Sequence, residues 1–308
     1  MKKLIYLLIL LLIFIILFAV VTNTDQFFLN IINTLNLWLT KVYPSIFTYY
    51  LISSLLLNTN LLNKIIYLFR NFFKRLKFKN DLSLNIFILS IFTGNPTSSG
   101  IIIENIRKNN LLISEANDLL KVSAFINPLF ILAFLSPFSI KYAYIMIFVH
   151  IASNFLLVKW VNKDNPETII SNPRLKFSIK DILNSINNCI QILLIVSAMM
   201  VFANIITFSI NHLLSTFQLN ILFLKLILTQ FEVTTGLNYL LSLKLNLFLT
   251  YLFIAFTISF NGLSIHLQVL NIISSENLKY KNFFCFRILQ GLISMLILTF
   301  FIMIEKSL

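Results

Sequence analysis

From residue 4 to residue 21 the chain carries no Asp, Glu, Lys or Arg, and from 182 to 304 its only charges are Lys225, Glu232, Lys244, Glu276, Lys279, Lys281 and Arg287. Such runs leave too little charge to cover a surface facing water. Only 11% of the 308 residues are charged and 58% are hydrophobic, whereas soluble domains carry about 25% charged residues. With a mean hydropathy of +0.89, the chain points to lipid as its solvent and bilayer as its first partner. Soluble enzymes, nucleic-acid modules and disordered tails are excluded.

The formal charge is +13, which in a soluble protein would suggest a nucleic-acid partner. Here the cations fall in the gaps between apolar runs, as the positive-inside rule arranges them in a polytopic membrane protein. Cys189 and Cys285 lie in apolar runs and imply no disulfide framework. His150, His212 and His266 lack ligand spacing, so no metal is expected, and the five glycines form neither a Walker loop nor a dinucleotide fingerprint. No cofactor is expected.

The basic clusters set an expected topology. Lys2 and Lys3 precede an uncleaved first helix, 4–21, with its N-terminus in the cytoplasm. The chain returns through 42–57 to the cluster Lys64, Arg70, Lys74, Arg75, Lys77 and Lys79. Residues 27–40, interrupted by Asn30, Asn33 and Asn36, read as interfacial. Spans at 119–136 and 140–158 then lead to a cytoplasmic linker with Asn165-Pro166 and Asn172-Pro173. Spans at 182–210 and 246–272 follow, with the loop holding Glu276, Lys279, Lys281 and Arg287 inside.

Segment 82–106 does not fit a simple crossing. It breaks at Gly94-Asn95-Pro96-Thr97-Ser98-Ser99-Gly100, leaving uncharged arms of about 12 and 6 residues, or about 18 and 9 Å as helix. Neither crosses ~30 Å of hydrocarbon, so a re-entrant hairpin with its tip buried in protein is expected.

The break recurs. Pro96-Thr97-Ser98-Ser99-Gly100 lines up with Glu232-Val233-Thr234-Thr235-Gly236, and Asn127-Pro128-Leu129-Phe130-Ile131 with Asn261-Gly262-Leu263-Ser264-Ile265, in the same order. Gly94, Gly100, Gly236 and Gly262 are four of the five glycines and mark expected breaks, with Pro96 and Pro128. The loop charges make the two units antiparallel, with a second hairpin at 219–242. The expected fold is therefore all-α: about seven spanning helices plus two re-entrant hairpins in an inverted repeat. Its parts are an anchor helix (1–26), a first repeat (27–160), a linker (161–181) and a second repeat (182–308). Secondary transporters place binding sites where such broken helices meet.

Glu232 is the sharpest candidate, the lone carboxylate of 226–243. An intramembrane acid costs at least ~2.5 kcal/mol and marks binding or proton movement, unless it pairs with Lys225 or Lys244 for packing alone. Asn95, Thr97, Ser98, Ser99, Thr234 and Thr235 flank the hairpin breaks and serve as ligand donors or helix caps. Asn127 and Asn261 stand at the paired helix breaks, and Ser264, His266 and Gln268 lie just past the second. These twelve residues are the expected solute site.

With these segments in view, the sequence resembles the YlbJ-like sporulation integral membrane proteins of the nucleoside-transporter/gate-domain superfamily. The resemblance is carried by 92–120, 126–134, 230–240 and above all 260–292. It implies a fold like the concentrative nucleoside transporters and a bacterial cell membrane, such as the one around the forespore. It also implies a small polar cargo such as the pyridine dicarboxylate of spores. The family signatures fall on Gly94, Pro96 and Gly100, on Glu232, Thr234 and Gly236, and on Gly262, Leu263, Ser264, His266 and Gln268.

The expected function is a secondary transporter or facilitator of a small polar, anionic solute, running downhill or on a sodium or proton gradient. The alternative is a non-transporting membrane protein that assembles a sporulation complex. An intramembrane enzyme is not expected, because Ser264 and His266, at i and i+2, point to different helix faces.

Overall fold

A computed structural model describes residues 2–219, 221–243 and 245–307. Lys244, weighed above as a partner for Glu232, lies outside them, as do Met1 and Leu308 at the ends of the expected domains. Among the described residues every regular element is helical.

The chain rises through α1 (Lys2–Thr22), turns at Asn23, and returns through α2 (Thr24–Leu37), a π-helical turn at Trp38–Val42 and α3 (Tyr43–Asn58). The two limbs, Tyr6–Thr22 and Thr24–Asn58, are bent by 108°. The stretch 27–40, expected at the interface, lies within the continuous helical run Thr24–Asn58. Two of its polar residues meet another helix, Asn204 donating to Thr34 Oγ1 and, at 3.4 Å, to Asn30 Oδ1, whereas Asn33 and Asn36 are exposed. Pairing across helices satisfies side chains that in sequence look like a membrane edge.

Short helices α4 (Leu61–Leu68) and α5 (Arg70–Phe73) lead into a hairpin of α6 (Asp81–Thr93) and α7 (Thr97–Arg107). Asn80 starts α6 by accepting from Ser83 N–H at 2.8 Å. Next come α8 (Ile113–Val122), an unwound stretch at 123–127, α9 (Pro128–Leu135) and α10 (Ile140–Val161). The second half begins with the 38-residue α11 (Ile179–Thr216). It continues with a hairpin of α12 (Leu222–Leu228) and α13 (Val233–Ser242), then α14 (Leu247–Phe260), α15 (Gly262–Ile273) and α16 (Tyr280–Ser307).

Four segments are long and apolar enough to cross a membrane: Ile140–Val161, Ile179–Thr216, Leu247–Ile273 and Tyr280–Ile304. The bent pair at the N-terminus makes up to five, against about seven expected. The difference has two sources. Residues 119–136 are split by the unwound stretch, and 4–21 and 42–57 belong to the bent pair.

The expected break residues divide into two groups. Gly94 and Gly262 stand at breaks with φ of 68° and 62°. Gly100 and Gly236 instead lie inside α7 and α13. At Gly236 a Cβ would fall 2.0 Å from Thr229 O, so its hydrogen is what lets the arms of the second hairpin touch. Pro128, expected as a kink, is the first residue of α9, where its missing N–H removes no helical bond.

The two ends of the bundle differ in charge. Lys74–Glu167 (3.1 Å), Lys79–Asp118 (2.9 Å) and Arg107–Glu276 (3.2 Å) tie the basic loops together at one end. Both limbs of the α6–α7 hairpin open there, through Asp81 near Asn63 and Arg107 beside Glu276. The α12–α13 hairpin opens at the opposite end, where Lys225 and Tyr239 share a groove with Asn23 and His212.

Arg287, expected in the basic loop, lies within α16 and is 0% exposed. Its Nη1 donates to Ala124 O at 2.9 Å and to Gln290 Oε1, and its Nη2 donates to Lys121 O. The guanidinium thus terminates α8, where the last carbonyls of a helix lack intrahelical donors.

Candidate functional site

Each hairpin turn is docked on the broken helix that follows it. At the first, Asn95 N–H donates to Phe125 O at 2.7 Å, and a Cβ on Gly94 would lie 2.8 Å from Asn127 N. At the second, Leu263 and Ser264 N–H donate to Gln230 O and Phe231 O at 2.7 and 2.8 Å. Asn261 and Gly262, both at positive φ, turn the chain between α14 and α15 so that these N–H groups point at the hairpin.

The unwound stretch 123–127 is satisfied from behind. His150 Nε2 accepts from Ile126 N–H at 2.9 Å, while Ala124 O accepts from Asn154 Nδ2 at 3.0 Å and from Arg287. Irregular backbone inside a membrane protein persists where protein supplies its partners in this way.

Between the two turns lies a cavity of about 80 Å³. At ~10–15 Å³ per water it has room for roughly six waters or a compact solute. The first hairpin and the stretch before α9 contribute Thr93, Asn95, Pro96 and Asn127 to its wall, and the second hairpin and α15 contribute Glu232, Thr234, Ser264 and Gln268. Ser45 from α3 and Val196 and Met200 from α11 close the sides, and the exposed Lys41 stands at the rim.

Six of the twelve expected site residues therefore share one wall: Asn95, Asn127, Glu232, Thr234, Ser264 and Gln268. The others stand behind it. Ser98 and Ser99 donate to Asn95 Oδ1 at 2.6 and 3.1 Å and so orient its amide. Thr235 donates to Glu232, and Thr97 and Asn261 are fully buried outside the lining. His266 is held in an aromatic nest, Nε2 donating to Phe260 O at 2.8 Å and Nδ1 facing Tyr280 OH at 3.1 Å. A carbonyl only accepts, so Nε2 carries the proton and both ring nitrogens are occupied.

Glu232 is the N-cap of α13. Its Oε2 accepts from Thr235 N–H at 2.8 Å, from Thr235 Oγ1 at 3.1 Å and from Thr234 Oγ1. These partners are two hydroxyls and one N–H. All three bonds fall on Oε2, and Oε1 takes none of them.

Several wall atoms lack a partner among the described residues: Asn95 Nδ2, Ser264 Oγ and Gln268 Oε1. Ser264 and Gln268 are each 1% exposed. Of the fifteen buried polar atoms without a partner among the described residues, these three border the cavity and are open to bonding with a polar guest.

Lys41, Ser45, His150 and Arg287 were not singled out as site or support residues from sequence. A lone lysine in an apolar helix was a usable signal for Lys41, as was a charge deep in the final apolar run for Arg287.

The fold and this site define an all-helical integral membrane protein with a cavity between broken helices, its largely apolar wall set with a few polar side chains. No family model and no solved structure matches the chain. It is similar to the sporulation integral membrane protein YlbJ of Bacillus subtilis (strain 168), at 23% identity over 83% of this chain and 73% of that protein.

Proposed function

We propose that the chain is a transporter or facilitator of a small polar anion, with a role in spore formation like that in the name of its relative, and that it works as an inverted repeat. The two units are 27–160 and 182–308, joined by the linker 161–181, with 1–26 as an anchor. Their hairpins open at opposite ends of the bundle, which supports re-entrant loops of opposite orientation. The basic end supports a cytoplasmic N-terminus.

The observation that carries the reading is the set of helix N-termini around one cavity. Residues at the N-termini of four helices line one cavity: Pro96 before α7, Asn127 before α9, Glu232 and Val233 at α13, and Ser264 in the first turn of α15. Each N-terminus presents about +0.5 charge, while the C-termini of α6 and α14 at the same breaks, at Thr93 and Phe260, offset part of that field with about −0.5 each. Lys41 at the rim is the cation beside these helix N-termini, and together they support an anion as the guest. The unpartnered Asn95 amide and Ser264 hydroxyl supply donors for it. Glu232 can take a coupling sodium ion or proton through Oε1.

Thermal unfolding of the purified protein with pyridine-2,6-dicarboxylate, with and without sodium, tests this against a neutral nucleoside. Ligand at 100 times its Kd stabilises by about 2.7 kcal/mol. The dicarboxylate is expected to raise the Tm and the nucleoside to leave it unchanged. A protein that assembles a complex without binding solute would respond to neither.

A further inference from the structure

A second cavity, of about 530 Å³, opens at the basic end between α3, α7, α11 and α15. Its α11 wall is a stripe of amides, Asn184, Asn187, Asn188 and Gln191, spaced i, i+3, i+4 and i+7 and so on one face. This cavity and the central one meet along two shared helices. On α11, Ile192 and Ile195 line the outer cavity and Val196 the central one; on α15, Asn271 and Ile272 line the outer cavity and Gln268 the central one. One helical turn, about 5.4 Å of rise, separates them.

What fills that turn is thin and apolar. Ile192, 6% exposed, presses its Cδ1 into the notch left by Gly100, where a Cβ would lie 2.4 Å away. Across the mouth, α7 is tied to the end of α15 by Arg107, which donates to Glu276 at 3.2 Å and to Ser275 at 2.9 Å. Arg107 is 60% exposed in that pair, and exposed ion pairs resist separation weakly.

We infer that the amide-lined cavity is the inner mouth of the central site, through which a small polar solute passes, and that Ile192 seated against Gly100 is the constriction closing it. The amides offer hydrogen bonds without a fixed charge, so they accompany a polar solute without trapping it. This route serves the solute-binding role proposed above, but its test needs no solute, so the two fail separately.

The test is cysteine labelling in sealed vesicles with an impermeant thiol reagent, in a Cys189→Ala/Cys285→Ala background. Asp164→Cys, at an 89% exposed position, reports which vesicles present the basic end. From that side Asn271→Cys is expected to react readily and Gln268→Cys to stay at background. Adding Ile192→Ala, or Ile192→Val, which deletes only the Cδ1 methyl, brings Gln268→Cys towards the Asn271→Cys rate. The inference is overturned if Asn271→Cys is unreactive from the basic side, or if neither Ile192 variant, folded by its melting curve, changes labelling at Gln268→Cys.

Discussion

The N–H of Asn95 donates to the carbonyl of Phe125 at 2.7 Å, and across the cavity the N–H of Leu263 donates to the carbonyl of Gln230 at the same distance. In the first unit the hairpin supplies the donor and the broken helix the acceptor; in the second these roles are exchanged. Each bond lets two irregular turns satisfy one another where lipid could not, and each brings helix N-termini to the cavity wall.

Gly94→Ala should destabilise the fold. Gly94 has φ 68° and ψ 177°, a region that is essentially glycine-only and costs about 1–3 kcal/mol for other residues. The added Cβ would also meet Asn127 N at 2.8 Å. The melting temperature is expected to fall clearly further than for Gly100→Ala, whose new Cβ meets the flexible end of Ile192.

Replacing Glu232 should separate cap from charge. Glu232→Ala removes the acceptor of the Thr235 N–H and two hydroxyls, a loss of about 1 kcal/mol in stability. Glu232→Gln keeps an acceptor oxygen and removes the negative charge. Its dicarboxylate affinity should rise by about tenfold, or ~1.4 kcal/mol, with a smaller change in melting temperature than Ala produces. Equilibrium binding beside the melts checks both.

Arg287→Met should leave the Lys121 carbonyl without its side-chain donor. A buried polar group that loses its partner costs about 1–3 kcal/mol. Because Gln290 bonds the same guanidinium, a double-mutant cycle with Gln290→Ala should be non-additive in chemical unfolding.

Asp118→Asn carries the pH prediction. Burial pushes the Asp118 carboxyl up, but the hydrogen bonds and charges of Lys121 and Lys79 outweigh it and hold the group below its usual range. A depressed acid contributes stability above its unfolded pKa of about 3.9 and loses it as pH falls through the lower folded value. At neutral pH Asp118→Asn should therefore cost under about 1 kcal/mol, since the pair is partly exposed. Melting curves of variant and parent should converge below about pH 4.

The breaks at Gly94–Pro96 and at Gly262 were legible because glycine and proline mark backbone that side chains forbid. Glu232 was legible because a charge inside an apolar run is expensive. Side-chain direction was not legible. Ser98 and Ser99 sit one turn from Asn95 yet serve it from behind, and His266, two residues beyond Ser264, turns into an aromatic nest. Nor were the supports of 123–127, since His150, Asn154 and Arg287 reach it from distant helices. The continuity of Thr24–Asn58 was hidden because the side chains of Asn30 and Thr34 meet Asn204 on another helix, a partner the local sequence does not show.

The most direct measurement is equilibrium binding of labelled pyridine-2,6-dicarboxylate to the purified protein and to Asn95→Ala and Gln268→Ala, one change on each side of the cavity. Saturable binding that both substitutions weaken is predicted. No saturable binding to the folded parent, or binding that neither substitution alters, would contradict a shared anion site between the two units.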